Sequence, residues 1–445
     1  MIVEAMCTQA HACLTGLGAG TANVPNAITV GFAILLGARD PALGLLAALP
    51  VYASFFQFVA AAVAPRLGGR RGFIMLTTLL ARVSWLAMGW IPFALGHGSA
   101  ALAAFLVFWG ISNAGLAMGG NLWMSWMADL CPPRIRGRYF SRHALFTTVV
   151  GILAPFLASN VLDRGFGGRA FGFAVLFTVA SVFGMLAWAI LRAQPEPGPR
   201  ERPEPPPLEL RWFLTPFGDR SFRPLLLFVL VFGATNGLAS PFWASFQLEQ
   251  LRLPYHYVSG LFVAVQGIST ALALAVWGRL SDRCGNRVVV ALTLALLSLS
   301  PLCYVAACGP RHWWIMLLDA ALQGTGWAGY NVAIFNLVLS LTPQTKRELY
   351  FAAYVTVLGA AQATTSVLAG SLLATLPGSF ALAGLALHPR QQVFLLTAVA
   401  RVACLVFFVK ALGAPRNARI RASFERARRF LGLPRPAPDL LPNEA

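Results

Sequence analysis

Charge is what this chain has least of. Of its 445 residues only 11% are Asp, Glu, Lys or Arg, where a soluble domain carries about 25%. That scarcity excludes an ordinary soluble globular protein. The seven cysteines (Cys7, Cys13, Cys131, Cys284, Cys303, Cys308 and Cys404) are scattered, most in or beside apolar runs. They have neither metal-ligand spacing nor a disulfide framework, so no metal is expected. No His/Cys/carboxylate cluster, nucleophile motif, phosphate-binding loop or Walker sequence occurs, which argues against an enzyme, a cofactor, or ATP-driven work by this chain alone. The stretch MIVEAMCTQAHACL lacks Lys and Arg. It makes a poor cleavable signal, so the first apolar run is expected to be retained. The net charge is +18, but no DNA- or RNA-binding motif accompanies it, and no nucleic-acid partner is expected.

What the chain has instead is hydrophobic length. Residues of the apolar class make up 57% of it, in recurring runs of eighteen or more that predict a polytopic helical membrane protein. Twelve spans can be drawn, at about 14–37, 42–64, 72–95, 100–128, 141–161, 170–192, 223–248, 256–277, 288–308, 312–338, 348–375 and 391–412. Helix is the only plausible form for them, because lipid offers no partners to backbone polar groups. Alternate loops carry 26 Lys and Arg on one side and 6 on the other, with Arg82 and Arg401 inside spans. The positive-inside rule places the richer side, and both termini, in the cytoplasm. The expected organisation is a six-helix bundle over 1–192, a Pro-rich cytoplasmic linker over 193–222, a second six-helix bundle over 223–412 and a basic tail over 413–445. In that tail Ile420, Phe424 and Leu431 share a helical face with Arg between them, a pattern suited to anionic lipid.

The two halves repeat. Asn23 matches Asn236 and Arg66-Leu67 matches Arg279-Leu280, both at an offset of 213. Asn113 matches Gln323, Gly119 matches Gly329, Asn121 matches Asn331, Pro133 matches Pro343 and Arg136 matches Lys346, all at 210. A loop deletion of three residues accounts for the change of offset.

Between the eighth and ninth spans stands GRLSDRCGNR at 278–287, expected as a short polar loop. Its pattern, Gly278, Asp282, Arg283, Gly285 and Arg287, resembles the signature loop of the major facilitator superfamily of secondary transporters. The first-half copy, APRLGGRRG, has Gly69 where Asp282 stands. After the fourth span, Asp129, Pro133, Arg136, Gly137 and Arg138 resemble another loop of the same family. Together with the two parallel six-helix halves, the resemblance implies alternating access with a cytoplasmic latch at Gly278, Asp282, Arg283, Gly285 and Arg287, joined by Asp129, Arg136 and Arg138.

The resemblance also implies that helices 1, 4, 7 and 10 line a central cavity. On helix 10 the spacing puts Asp319, Gln323, Trp327, Tyr330 and Asn331 on one face. Helix 7 offers Asn236, Ser240, Trp243 and Gln247, helix 4 Asn113, Gly120 and Asn121, and helix 1 Asn23 and Asn26. Amides buried in a membrane need partners, either a solute in a water-filled cavity or a neighbouring helix. The isolated Gln57, Gln266 and Gln362 fit the second role. An amide- and aromatic-rich, charge-poor cavity suits a neutral polar, sugar-like solute or an amphiphile. Efflux of lipophilic compounds and a non-transporting sensor or scaffold are the alternatives, and the chain is expected to be a monomer in the inner membrane. Arg82 and Arg401 are expected as structural charges, bonded to carbonyls or one partner. Asp319 lies about seven residues, roughly 10 Å, inside helix 10. It is a candidate proton-coupling carboxylate, with an ion pair to Arg401 as the competing role.

Overall fold

The computed structural model describes residues 7–8, 25–57, 60, 70–130, 133–194, 215–343, 347–376, 378, 380–382 and 385–411. Asn23 and the basic tail lie outside them, as do the side chains of Asn121, Asp129, Arg136 and Arg138. Twelve helices follow one another among the described residues. The first six are α1 (Ala27–Leu35), α2 (Asp40–Ser54), α3 (Arg70–Leu95), α4 (Ser99–Leu130), α5 (Pro133–Asn160) and α6 (Ala170–Arg192). The second six are α7 (Arg223–Ala239), α8 (Phe262–Cys284), α9 (Asn286–Ala306), α10 (Trp313–Leu341), α11 (Arg347–Leu373) and α12 (Pro389–Ala411). Nine spans among the described residues are long and apolar enough to cross a membrane. Helix α10 is not among these nine, because Asp319, Gln323, Tyr330 and Asn331 dilute its hydropathy.

Local chemistry explains the breaks. The Asn26 side chain accepts from the Ile28 and Thr29 amides and caps α1, satisfying two donors that a helix start leaves orphaned. Pro241 follows the end of α7, and the chain continues through a short helical turn at Trp243–Ser245 into a π-helical turn at Phe246–Gln250. A second π-helical turn, His256–Leu261, leads into α8. Two expectations need correction. Residues Gly278, Asp282 and Arg283 are not in a loop: they form the last turns of α8, and the break is Gly285 alone, at φ 88°. Glycine adopts that φ without a Cβ penalty, so Arg287 already sits in the first turn of α9. Likewise α5 starts at Pro133, which puts Arg136 and Arg138 on the helix; polar side chains at a membrane surface are solvated while the backbone stays helically bonded. The fold is helical as expected, and a small antiparallel hairpin in the connection between α11 and α12 pairs Phe380–Leu382 with Leu385–Leu387.

In the first half α3 packs on α4 and α6, and α2 on α4. In the second half α10 packs on α8 and α9, α7 on α11 and α12, and α9 on α12. Aromatic rings fill both interiors. Phe32, Phe105, Trp85, Trp109, Phe173 and Phe177 meet in the first, and Phe228, Phe232, Tyr330 and Phe408 in the second. The halves meet where α2 packs on α11 and where α5 packs on the π-turn before α8. Close backbone approach permits the first contact: a Cβ on Gly44 would lie 2.5 Å from the Ser366 carbonyl oxygen, and one on Gly370 2.6 Å from that of Asp40.

Candidate functional site

Hydrogen bonds between the halves, among the described residues, lie at the end of the bundle away from Asp282. Arg390, at the start of α12, donates to Asp40 Oδ1 from Nε at 3.1 Å and from Nη2 at 2.8 Å. Its Nη1 donates to Glu249 Oε2 at 2.5 Å. One guanidinium thus joins the first turn of α2 to the π-turn that ends the α7 segment, and only 8% of Arg390 is exposed. Nearby, Asp163 accepts from the Tyr255 and His256 amides at 3.1 and 2.7 Å and is 2.7 Å from His256 Nδ1. Phe173 stacks edge-on to Tyr255 at 5.8 Å. His388 Nδ1 lies 2.6 Å from Gln250 Nε2, and burial, then Arg390, holds its pKa below the ordinary histidine value. These contacts close one end of the bundle. At the other end Asp282 is exposed and makes no ion pair or hydrogen bond among the described residues. Gly278 has open space beside its Cα.

Towards the middle, α10 carries Gln323, Trp327 and Asn331 at four-residue spacing, one stripe on the helix. Gln323 and Trp327 are half-buried and Asn331 is exposed. Trp327 donates to Gln323 Oε1 at 2.8 Å and packs at 5.9 Å from Phe232 of α7. Tyr330 is buried against Phe232 at 4.6 Å and edge-on to Trp327 at 5.6 Å. The indole and amide oxygen satisfy each other, so the amide nitrogen of Gln323 and both groups of Asn331 are the polar atoms this stripe offers.

Other residues of the anticipated site have neighbours of their own. Asn113 is buried and donates to the Trp109 carbonyl on its own helix at 2.8 Å. Asn236 accepts from Arg401 Nη2 at 2.8 Å, while Arg401 Nη1 donates to the Leu297 carbonyl at 2.6 Å. Asp319 and Arg401 do not bond directly. The carboxylate of Asp319 accepts from Ser300 Oγ at 2.5 Å and from the Tyr304 hydroxyl at 3.1 Å. Gln247 donates to that same hydroxyl at 2.7 Å. Trp243 lies edge-on to Tyr304 at 4.5 Å, stacks on Phe394 at 4.8 Å, and has the Arg401 guanidinium 6.0 Å from its ring. Arg82 is buried and reaches Thr8 Oγ1 at 3.4 Å. Asn236, Trp243, Gln247, Asp319 and Arg401 therefore form a second cluster, inside the second half between α7, α9, α10 and α12. It is distinct from the stripe on α10.

This geometry agrees with what the chain is similar to. The Major Facilitator Superfamily profile matches residues 12–260 and again 225–438. The chain belongs to the Major Facilitator Superfamily. Among solved structures this superfamily member is similar to the nucleoside transporter NupG, at 12% identity with 93% of this chain and 99% of that chain covered and a TM-score of 0.67. It is also similar to a bacterial homolog of the human lysosomal transporter Spinster in an inward-facing, unoccupied conformation, at 16% identity, 98% of each chain and a TM-score of 0.62. A D-xylose-proton symporter matches at 13% identity, 94% of this chain and 97% of that one, with a TM-score of 0.61. At such identities the likeness carries the fold alone. A search of curated protein sequences finds no match. The chain is thus an integral membrane protein with the fold of secondary transporters.

Residues that close the two halves of this transporter fold were missed by sequence reasoning. Asp40 and Arg390 are separated by 350 residues, so no local pattern links them. The available signal was rarity: Arg390 is one of only six basic residues on the charge-poor side.

Proposed function

We propose that this protein is a secondary transporter that moves a small neutral polar or amphiphilic solute by alternating access, here closed on one face and open on the other. The carrying observation is the one-sided closure. Among the described residues the hydrogen bonds between the halves gather around Arg390 and Asp163, whereas Asp282 at the far end makes no hydrogen bond or ion pair there. The positive-inside rule makes the closed face the outer one and the Asp282 face cytoplasmic, with both termini inside an inner-type membrane. The basic tail then rests on anionic lipid.

The solute site in this reading is the α10 stripe of Gln323, Trp327 and Asn331 beside Tyr330, with Asn113 and Asn121 of α4 and Asn23 and Asn26, which precede α1 in the sequence, as its first-half candidates. Amides and aromatic faces without a facing carboxylate favour a hydroxyl-bearing or amphiphilic solute over a strong cation. The cluster of Asn236, Trp243, Gln247 and Arg401 supports α7, and Asp319 within it is the proton-coupling carboxylate. Asp282, with Gly278, Arg283, Gly285, Arg287 and the Asp129, Arg136 and Arg138 group, latches the cytoplasmic face when the outer face opens.

A thermal-shift screen of the purified monomer against sugars, nucleosides, amino acids and amphiphiles tests the binding half, since a ligand of the folded state raises its stability. Uptake into proteoliposomes with and without a proton gradient tests the transport half. A ligand that stabilises the protein yet is never moved would favour a sensor.

A further inference from the structure

Asp319 and Arg390 belong to different parts of the protein, one deep in the second half and the other at the closed face. A chain of bonds joins them. Asp319 Oδ2 accepts from the Tyr304 hydroxyl at 3.1 Å, and that hydroxyl accepts from Gln247 Nε2 at 2.7 Å. Gln247 shares the π-turn Phe246–Gln250 with Glu249. Glu249 accepts from Arg390, which holds Asp40 of the other half. A parallel route runs through the backbone: Gln391, next to Arg390, donates to the carbonyls of Tyr304, Val305 and Ala307 at 3.3, 3.1 and 3.3 Å. Tyr304 is therefore bonded at both ends, by its hydroxyl to Asp319 and by its main chain to the gate.

The direction of this chain depends on charge. An ionised carboxylate only accepts, so the Tyr304 proton points at Asp319 and the hydroxyl lone pair faces the Gln247 amide. When a protonated Asp319 carries its proton on Oδ2, that oxygen donates to the Tyr304 hydroxyl instead. The Tyr304 proton then turns from Asp319 towards Gln247, whose amide presents oxygen rather than nitrogen. π-turns recur at functional positions inside helices, and this one carries both Gln247 and the gate carboxylate Glu249. The titratable groups facing Asp319 are Tyr304 and Cys303 of α9 and Arg401 of α12. Those of α8, Arg279 to Cys284, lie at its far end, and the π-turn after α7 brings the neutral Gln247 to Tyr304.

We propose that Tyr304 is the positioning residue that transmits the charge state of Asp319, through Gln247 and the π-turn, to the Asp40–Arg390–Glu249 gate between the halves. This rests on the reading of Asp319 as the coupling carboxylate.

The test is a double-mutant cycle read at the gate. Distance labels on noncanonical residues at His97 and Arg311, both exposed on the closed face, report the open and closed populations of the full-length protein in nanodiscs. Asp319→Asn, which neutralises the carboxyl, is expected to shift these populations in the wild-type background. In a Tyr304→Phe background, and in a Gln247→Leu background, the shift is expected to vanish although both variants fold and keep a closed gate. A shift that persists in both backgrounds overturns the proposal, and so does an Asp319→Asn variant whose distances never move. Proton-driven uptake by Asp319→Asn is scored separately. If it stays pH-dependent, the coupling role of Asp319 fails, whereas loss of pH dependence with a Tyr304-independent gate shift leaves that role standing and removes only the relay.

Discussion

Replacing Arg390 with glutamine should open the closed face. In the structure its guanidinium makes three hydrogen bonds to two carboxylates, two of them across the boundary between the halves. A hydrogen bond to a charged group is worth about 1.5–3 kcal/mol when buried. The Arg390 side chain is 10% exposed, but those of Asp40 and Glu249 are 29% and 37% exposed, and solvent screening cuts the worth of such pairs. A net loss of about 1–2 kcal/mol from the closed state follows, a factor of roughly 5–30 in the closed-to-open ratio. The substitution also leaves Asp40 and Glu249 without their shared cation, which pushes in the same direction. Distances between labels at His97 and Arg311 should lengthen, and a solute-accessible probe on the outer side of α10 should react faster. Asp40→Asn, which keeps the Glu249 pair, should produce a smaller shift of the same sign. An unchanged distance distribution in Arg390→Gln would refute the assignment of this cluster as the lock.

Other outcomes follow from the same contacts. Trp327→Ala and Asn331→Ala should each weaken ligand binding by about tenfold, the worth of roughly one hydrogen bond or aromatic contact, while Gln362→Ala should leave it near wild type in the same thermal-shift assay; equal effects would favour a structural role. Asp282→Asn should leave the melting temperature unchanged, because Asp282 makes no hydrogen bond or ion pair among the described residues, but should raise the population with the cytoplasmic face open in crosslinking across that face. At the start of α7, the Tyr350 hydroxyl at 2.8 Å, then the Ser221 amide, holds the Asp219 carboxyl below the usual carboxylate range. Its folded pKa lies below its unfolded one, so this bond adds stability above the ordinary carboxylate range and loses it as pH falls through the folded value. Tyr350→Phe should therefore lower the melting temperature at neutral pH and flatten its decline on acidification; a parallel decline in both proteins would contradict this.

The helical class and the family were legible in residue order because both depend on local chemistry. A run of eighteen apolar residues must span as helix wherever it stands, since lipid satisfies no backbone group. The offsets pairing Asn113 with Gln323 and Asn121 with Asn331 needed no coordinates, nor did the stripe of Gln323, Trp327 and Asn331, which follows from helical periodicity alone. The pattern failed where polarity was taken for a loop: Gly278 to Cys284 stay helical until Gly285 turns the chain. Partnership was decided only in three dimensions. Asn236 and Asp319 sit on helices that the family resemblance assigns to a cavity, yet their neighbours are Arg401, Ser300 and Tyr304 within one half. A buried polar group bonds whatever packing brings within 3 Å, and packing joined Asp40 to Arg390 across 350 residues. Residue order carries periodicity, but it carries no distance between distant helices, and it is that distance which joins the two halves at Asp40 and Arg390.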